Sequence, residues 1–275
     1  MHTTSHLHPL TRTRSSARNA PSPGDSDTTT ASHQAAATAI GGVILLVVST
    51  MLHPVPSDPS DLTAALTEYA GDRLWMWSHL GQFLGVAAMA AALVMLAATF
   101  DPGPEGVLAR VAAAGAAVTA AAAAALQAVD GVALNAMAKH WIAASEPARR
   151  SAYDAAFAVR EIEIGLASLL LLVVGLTVGL LGIAMLISAR HPSWLATLGL
   201  LAGLGAVAAA ATQGTAGFSP HAMTLSMSAT AALLLWVVLV GLLMGRWARP
   251  PARQGRRDDF HTSDLARDIG VEEVK

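Results

Sequence analysis

Cysteine is missing from all 275 residues, and this single absence removes several chemistries together. No disulfide braces a loop, no thiolate holds an iron-sulfur cluster, and no covalently attached haem or lipobox-type lipid anchor is available. Any metal would depend on histidine and carboxylate. Charge is also scarce. Asp, Glu, Lys and Arg make 13% of the chain, about half the roughly 25% usual in soluble domains. No H-E-x-x-H or other motif names a reaction, no basic surface suggests nucleic acid, and the first and last three apolar stretches show no internal repeat of the kind transporters carry.

What the chain has in quantity is hydrocarbon. Hydrophobic residues make 53% of it and mean hydropathy is +0.50. A helix crossing a bilayer needs about 20 largely apolar residues, and six stretches qualify: 35–52, 75–100, 111–138, 164–188, 193–217 and 222–245. Long Ala, Leu, Val and Gly runs without alternation exclude a barrel, and an open sheet would leave backbone donors unpaired in lipid. The expected fold class is all-α, a polytopic bundle of about six transmembrane helices. It is flanked by a disordered tail over 1–34, rich in Ser, Thr, His and Pro, and by a second tail over 248–275. The first tail is too long for a signal peptide, so the first span is read as a retained anchor.

Lys and Arg set the orientation. With both termini in the cytoplasm, twelve basic residues lie inside, against Arg73, Lys139, Arg149, Arg150 and Arg160 outside, which follows the positive-inside rule for a cell-membrane protein. Arg246, Arg249, Arg253, Arg256 and Arg257 follow the last span and are placed to meet anionic lipid headgroups. Trp75, Trp77, Trp141, Trp194 and Trp247 fall at span ends, as interfacial anchors do. In the first outer loop, Asp61 is positioned to cap a short interfacial helix bearing Leu62, Leu66 and Tyr69 on one face, and Ser145 with Glu146 and Pro147 reads as a helix start that runs into the fourth span.

Polar side chains inside the spans collect at the predicted outer end, among them His53, His79, Gln82, Gln127, Asp130, His140, Glu161, Glu163, Gln213 and His221. Helical spacing puts His79 with Gln82, Gln127 with Asp130, and His221 with Thr224 and Ser228, so three helices are expected to turn polar faces inward. His79, His140 and His221 are the candidate metal ligands. The pairs Gly81/Gly85, Gly175/Gly179, Gly199/Gly203 and Gly241/Gly245 mark close helix contacts. In the fourth span a stripe of Glu161, Gly165, Ser168, Leu172, Gly175, Gly179 and Gly182 favours Glu161, rather than Glu163, as the inward carboxylate, with Arg160 beside both.

The segments HLGQFLG, VDGVAL and REIEIG, within roughly residues 50–190, resemble an uncharacterised family of six-helix bacterial integral membrane proteins. The resemblance implies no activity, but it implies that His79, Asp130, Arg160 and Glu163 belong together, against the stripe argument for Glu161. Short loops and missing motifs favour a noncatalytic accessory or assembly protein whose polar groups specify packing, with a partner in the membrane. The alternative is an outward-facing ligand- or metal-binding membrane enzyme using His79, Asp130 and one of the two glutamates. A transporter is disfavoured because the inner halves of the spans are apolar.

Overall fold

The computed structural model describes residues 23–53, 58 and 60–247, with side chains described for all of these except 23–29, 31 and 245–247. All regular secondary structure among the described residues is helical: α1 (Pro23–Met51), α2 (Leu62–Gly71), α3 (Trp75–Ala97), α4 (Pro104–Gln127), a π-helical segment (Ala128–Leu134), α5 (Asn135–Ala143), α6 (Glu146–Ile187), α7 (Ser193–Ala216) and α8 (Pro220–Trp247). Six of the helical stretches are long and apolar enough to cross a membrane, α4, the π segment and α5 counting as one. The tails expected over residues 1–22 and 248–275, and the side chains of Arg246, Arg249, Arg253, Arg256 and Arg257 expected at lipid headgroups, lie outside the described residues.

Helix starts follow local chemistry. Pro104 and Pro147 sit in the first turns of α4 and α6, where a missing N–H costs nothing. Asp61 caps α2 as expected, its carboxylate accepting from the Ala64 N–H at 3.1 Å. Ser145 is in extended conformation at the α6 start but makes no side-chain cap bond. One boundary differs: α1 begins at Pro23, so residues 23–34, read as disordered tail, are helical. Extending a formed helix fixes one residue per hydrogen bond gained, so a stable span carries polar residues upstream of it along.

The spans form a closed ring. Contacts run from α1 to α3, α3 to α4, α4 to α6, α6 to α7, α7 to α8, and α8 back to α1. Small residues bring the axes together. A Cβ on Gly203 of α7 would stand 2.6 Å from the Gly175 carbonyl oxygen and 2.7 Å from the Gly179 nitrogen of α6. Gly81 and Gly85 admit α1, Gly241 admits Ala39 of α1, and Gly199 admits the ring of Trp236, whose indole N–H donates to the Leu195 carbonyl at 3.0 Å.

The two ends of the ring differ. At the end formed by the 98–103 and 188–192 connections, Arg190 pairs with Asp101 at 3.2 Å and His191 stacks on Phe100 with ring centroids 4.6 Å apart. Behind them, Leu96, Leu181, Met185 and Leu195 are fully buried, so this end is packed solid. At the opposite end α6 overshoots. Its 42 residues span roughly 63 Å at about 1.5 Å each, twice the roughly 30 Å hydrocarbon thickness. Its first turns, with α5 and the π segment, build a shoulder at this end of the ring. The short helix α2 is folded down onto this shoulder, with Leu66 and Ala65 fully buried and Tyr69 nearly so, in a cluster with Trp75, Leu134, Ala138 and Ala156. The face carrying Leu66 and Tyr69 is thus packed on protein, and the helix forms a lid over it.

Two outcomes follow. Gly203→Ala has no flexible neighbour to displace, since backbone atoms stand in the way, and is expected to cost about 1–3 kcal/mol, read from unfolding in mixed SDS micelles. Burial, with Arg190 adding to it, pushes the His191 imidazole down to about 4. Its folded form is therefore neutral where an unfolded histidine takes up a proton, so stability is fully present above about pH 6.5 and is lost as pH falls toward 4. The melting temperature of the wild type is expected to drop across that window, and that of His191→Phe to drop less.

Candidate functional site

The polar end of the ring is organised by two rungs between α3 and the α4–π stretch. On the first, His79 Nε2 lies 3.0 Å from Asp130 Oδ2. On the second, one turn deeper, Gln127 Nε2 donates to Gln82 Oε1 at 3.3 Å. The expected pairings of His79 with Gln82 and of Gln127 with Asp130 on single faces are therefore realised, and the two faces meet. The third expected stripe does not join them. His221, Thr224 and Ser228 are exposed, and α8 turns Ala222, Ser226, Ala229 and Leu233 inward instead. That small and apolar series at four- and three-residue steps packs where the polar series would be left without partners.

The upper rung depends on a missing side chain. Asp130 and Gly131 sit in the π-helical segment, whose wider turn is frequently found at functional sites. A Cβ on Gly131 would stand 2.8 Å from the His79 Cβ, so only glycine lets the two helices approach this closely. The backbone of Asp130 is held from the other side, its carbonyl accepting from the Trp75 indole N–H at 3.1 Å.

His79 is 2% exposed, and its ring is fixed by its own helix. Nδ1 lies 2.6 Å from the Trp75 carbonyl oxygen. A carbonyl can only accept, so Nδ1 carries a proton and Nε2 is the nitrogen turned to the site. That nitrogen is buried and makes no aligned hydrogen bond, although Asp130 Oδ2 is at ion-pair distance. The third group is His53, just past the end of α1, whose ring lies 4.9 Å from that of His79 and 4.7 Å from that of Trp75. His53, His79 and Asp130 each present a ligand atom within 4.8 Å of the others. His140 and His221, the other two histidines expected as ligands, are exposed and stand apart from this group. His53 was one polar residue among many in the sequence. Its proximity to His79 arises from the α1–α3 contact, and no local spacing signals it.

Beside this group lies a buried ion pair. Arg160 donates to Glu163 at 2.9 and 3.1 Å and to the Tyr69 hydroxyl oxygen at 3.2 Å. Its guanidinium stands over the Phe218 ring at 4.6 Å and the Tyr69 ring at 5.7 Å. Burial pushes the Tyr69 phenol up to about 12 against the lowering pull of Arg160, so it stays neutral, and its field includes Glu163 and Asp130. Glu163 is 4% exposed, whereas Glu161 is exposed. The small-residue stripe therefore chose the wrong glutamate. It holds as a seam at Ser168, Gly175 and Gly182, but Gly165 is exposed and has nothing near it, because a run with a seven-residue repeat winds slowly around a straight helix. The four residues the resemblance grouped do assemble, as two pairs around Tyr69. Trp75, expected as an interfacial anchor, is 2% exposed and belongs to the same assembly, while Trp77 and Trp194 are exposed as anchors are.

No family model matches the chain, and neither a curated protein nor a solved structure is significantly similar to it.

Removing Glu163 alone leaves the Arg160 charge buried without its counter-charge. Glu163→Ala is expected to cost about 3–5 kcal/mol, and Glu161→Ala less than about 0.5 kcal/mol. Unfolding in mixed micelles separates them, and the double variant Arg160→Leu/Glu163→Leu is expected to recover much of the loss.

Proposed function

We propose that this multi-pass membrane protein binds a divalent transition metal through His53, His79 and Asp130, at the extracytoplasmic end of the bundle. The observation that carries the reading is the buried His79 Nε2, which has no aligned hydrogen bond while its partner Nδ1 is committed to a carbonyl. Backbone fixation of one ring nitrogen is how metal-binding histidines are commonly oriented. Two imidazoles and a carboxylate suit zinc, manganese, iron(II) or cobalt(II). Three protein ligands leave a position open, and a metal so held acts as a Lewis acid toward water or a substrate oxygen. In this reading Trp75 orients His79, Gly131 sets the spacing to Asp130, and the lid helix α2 with Tyr69 limits water. The placement in a cell membrane, with both termini cytoplasmic, rests on the distribution of arginine and lysine, and the basic run after α8 then faces anionic headgroups of the inner leaflet.

A second reading has its own observation. The 3.0 Å contact of His79 with Asp130 also suits a metal-free pair that fixes helix register, as expected of a noncatalytic accessory or assembly protein. The two separate on one measurement. Detergent-purified protein is loaded with cobalt(II), dialysed, and assayed by elemental analysis and visible absorbance. The metal reading expects about one equivalent with ligand-field bands, lost in His53→Ala, a substitution at a partly exposed site outside the helices that leaves the melting temperature nearly unchanged. A folded wild type that retains no cobalt, zinc or manganese would overturn the metal reading in favour of the register pair.

A further inference from the structure

The ring of helices is not filled. A cavity of about 550 Å³ lies inside it, bounded by α1, α3, α4, α6, α7 and α8. That volume is in the range of small-ligand sites and far beyond any ordinary packing defect. Its deep part is mainly hydrocarbon, with Leu93, Leu171, Val174, Val178, Leu233 and Val237 as walls, and the hydroxyl of Thr119 there is bonded to the Gly115 carbonyl. Beyond them the packed end of the bundle closes it through Leu96, Leu181 and Met185. Its other end reaches the turn just below the His79–Asp130 rung, where the lining changes to Thr50, Gln82, Gln127, Gln213, Ser226 and Thr230. The cavity is thus a blind, amphipathic chamber with one dry end and one polar end.

We propose that this chamber binds a single-chain lipid with an uncharged, hydroxyl-bearing head, its chain pointing toward Leu93 and Val237 and its head at the glutamines. Water is a poor occupant of so apolar a space. The walls belong to membrane-spanning helices, so the abundant solute beside them is lipid. The polar end decides the head. No residue lining the chamber is charged, so a phosphate or carboxylate would be desolvated without a cation and an ammonium without an anion. The amides there are largely paired with each other and with hydroxyls: Gln127 donates to Gln82, Gln82 stands 3.5 Å from the Thr50 hydroxyl, and Gln213 accepts from Ser226 at 2.6 Å. One acceptor is left over. Gln127 Oε1 is buried and has no hydrogen-bond partner. An orphan acceptor calls for a donor, which an alcohol has and an ester or ketone lacks. The inference does not depend on a metal at His53, His79 and Asp130.

The test is equilibrium binding of tritiated hexadecanol to the full-length protein in detergent, with tritiated palmitate and hexadecyl phosphate as charged competitors of equal chain length. EDTA is present throughout, and His53→Ala is run in parallel, so that failure of the metal reading leaves the result intact. Saturable binding of about one hexadecanol per chain is expected, with both anions at least about tenfold weaker, the factor expected from loss of one buried hydrogen bond or more. Gln127→Leu, which keeps the side-chain volume, is expected to weaken hexadecanol about fivefold to tenfold and to leave hexadecane unaffected. Val174→Phe, which fills the chamber, is expected to abolish binding; should it not fold, Gln127→Leu decides alone. Non-saturable uptake, equal binding of all three amphiphiles, preference for palmitate or phosphate, or indifference to Gln127→Leu would each overturn the proposal.

Discussion

Hydrocarbon offers no hydrogen-bond partner, and the architecture of this protein follows from that constraint. Backbone groups are satisfied within helices, and hydroxyls that enter the spans are satisfied by the same means. Thr119, Ser168, Thr177, Thr224 and Ser226 each donate to the carbonyl four residues earlier. Groups that a helix cannot satisfy by itself are pushed to one end of the ring and paired across helices there. His79 meets Asp130, Gln82 meets Gln127, and Gln213 meets Ser226. The charges of Arg160 and Glu163 are neutralised within a single turn of α6, and an aromatic pair, Tyr69 and Phe218, covers the guanidinium. Among the described residues, the opposite end is packed with Leu, Met and Trp, and the Trp236 indole N–H is paired across helices with the Leu195 carbonyl.

The spans were legible because their signal is local: about 20 apolar residues in a row name a membrane helix whatever surrounds them. The Asp61 cap and the early start of α6 were legible for the same reason. Pairings of His79 with Gln82 and of Gln127 with Asp130 could be read as faces, since helix geometry fixes which residues share one. What could not be read was which faces meet. His221, Thr224 and Ser228 make a convincing polar stripe that turns outward, and His53, which follows no pattern, is carried to His79 by the antiparallel packing of α1 on α3. Choosing Glu161 over Glu163 failed because a seven-residue repeat drifts around a straight helix, so the run that is buried at Ser168, Gly175 and Gly182 is exposed by Gly165 and Glu161. The four residues that the resemblance grouped lie near one another in two pairings, Arg160 with Glu163 and His79 with Asp130.

Position of the lid helix ties these features together. Through Tyr69, α2 touches the Arg160–Glu163 pair; through its carbonyl, the same residue accepts from Asn135 at 2.5 Å, just past the π segment. Trp75 stacks between Tyr69 and His79, with centroids 4.3 and 4.5 Å apart. A single short helix thus bonds the buried guanidinium and, through Trp75, stands next to His79.

Closure of the ring by α1 against α8 has a consequence for biogenesis. The two spans that complete the wall are the first and the last of the six to be synthesised, so α1 must enter the bilayer and remain without α8 beside it until that last span has been made. Every other wall contact joins spans consecutive in the chain and can form as synthesis proceeds. The enclosed space therefore comes into being in one final event, and until then the faces of Gly42, Gly81 and Gly85 that seat α1 on α3 are what hold the first span in place.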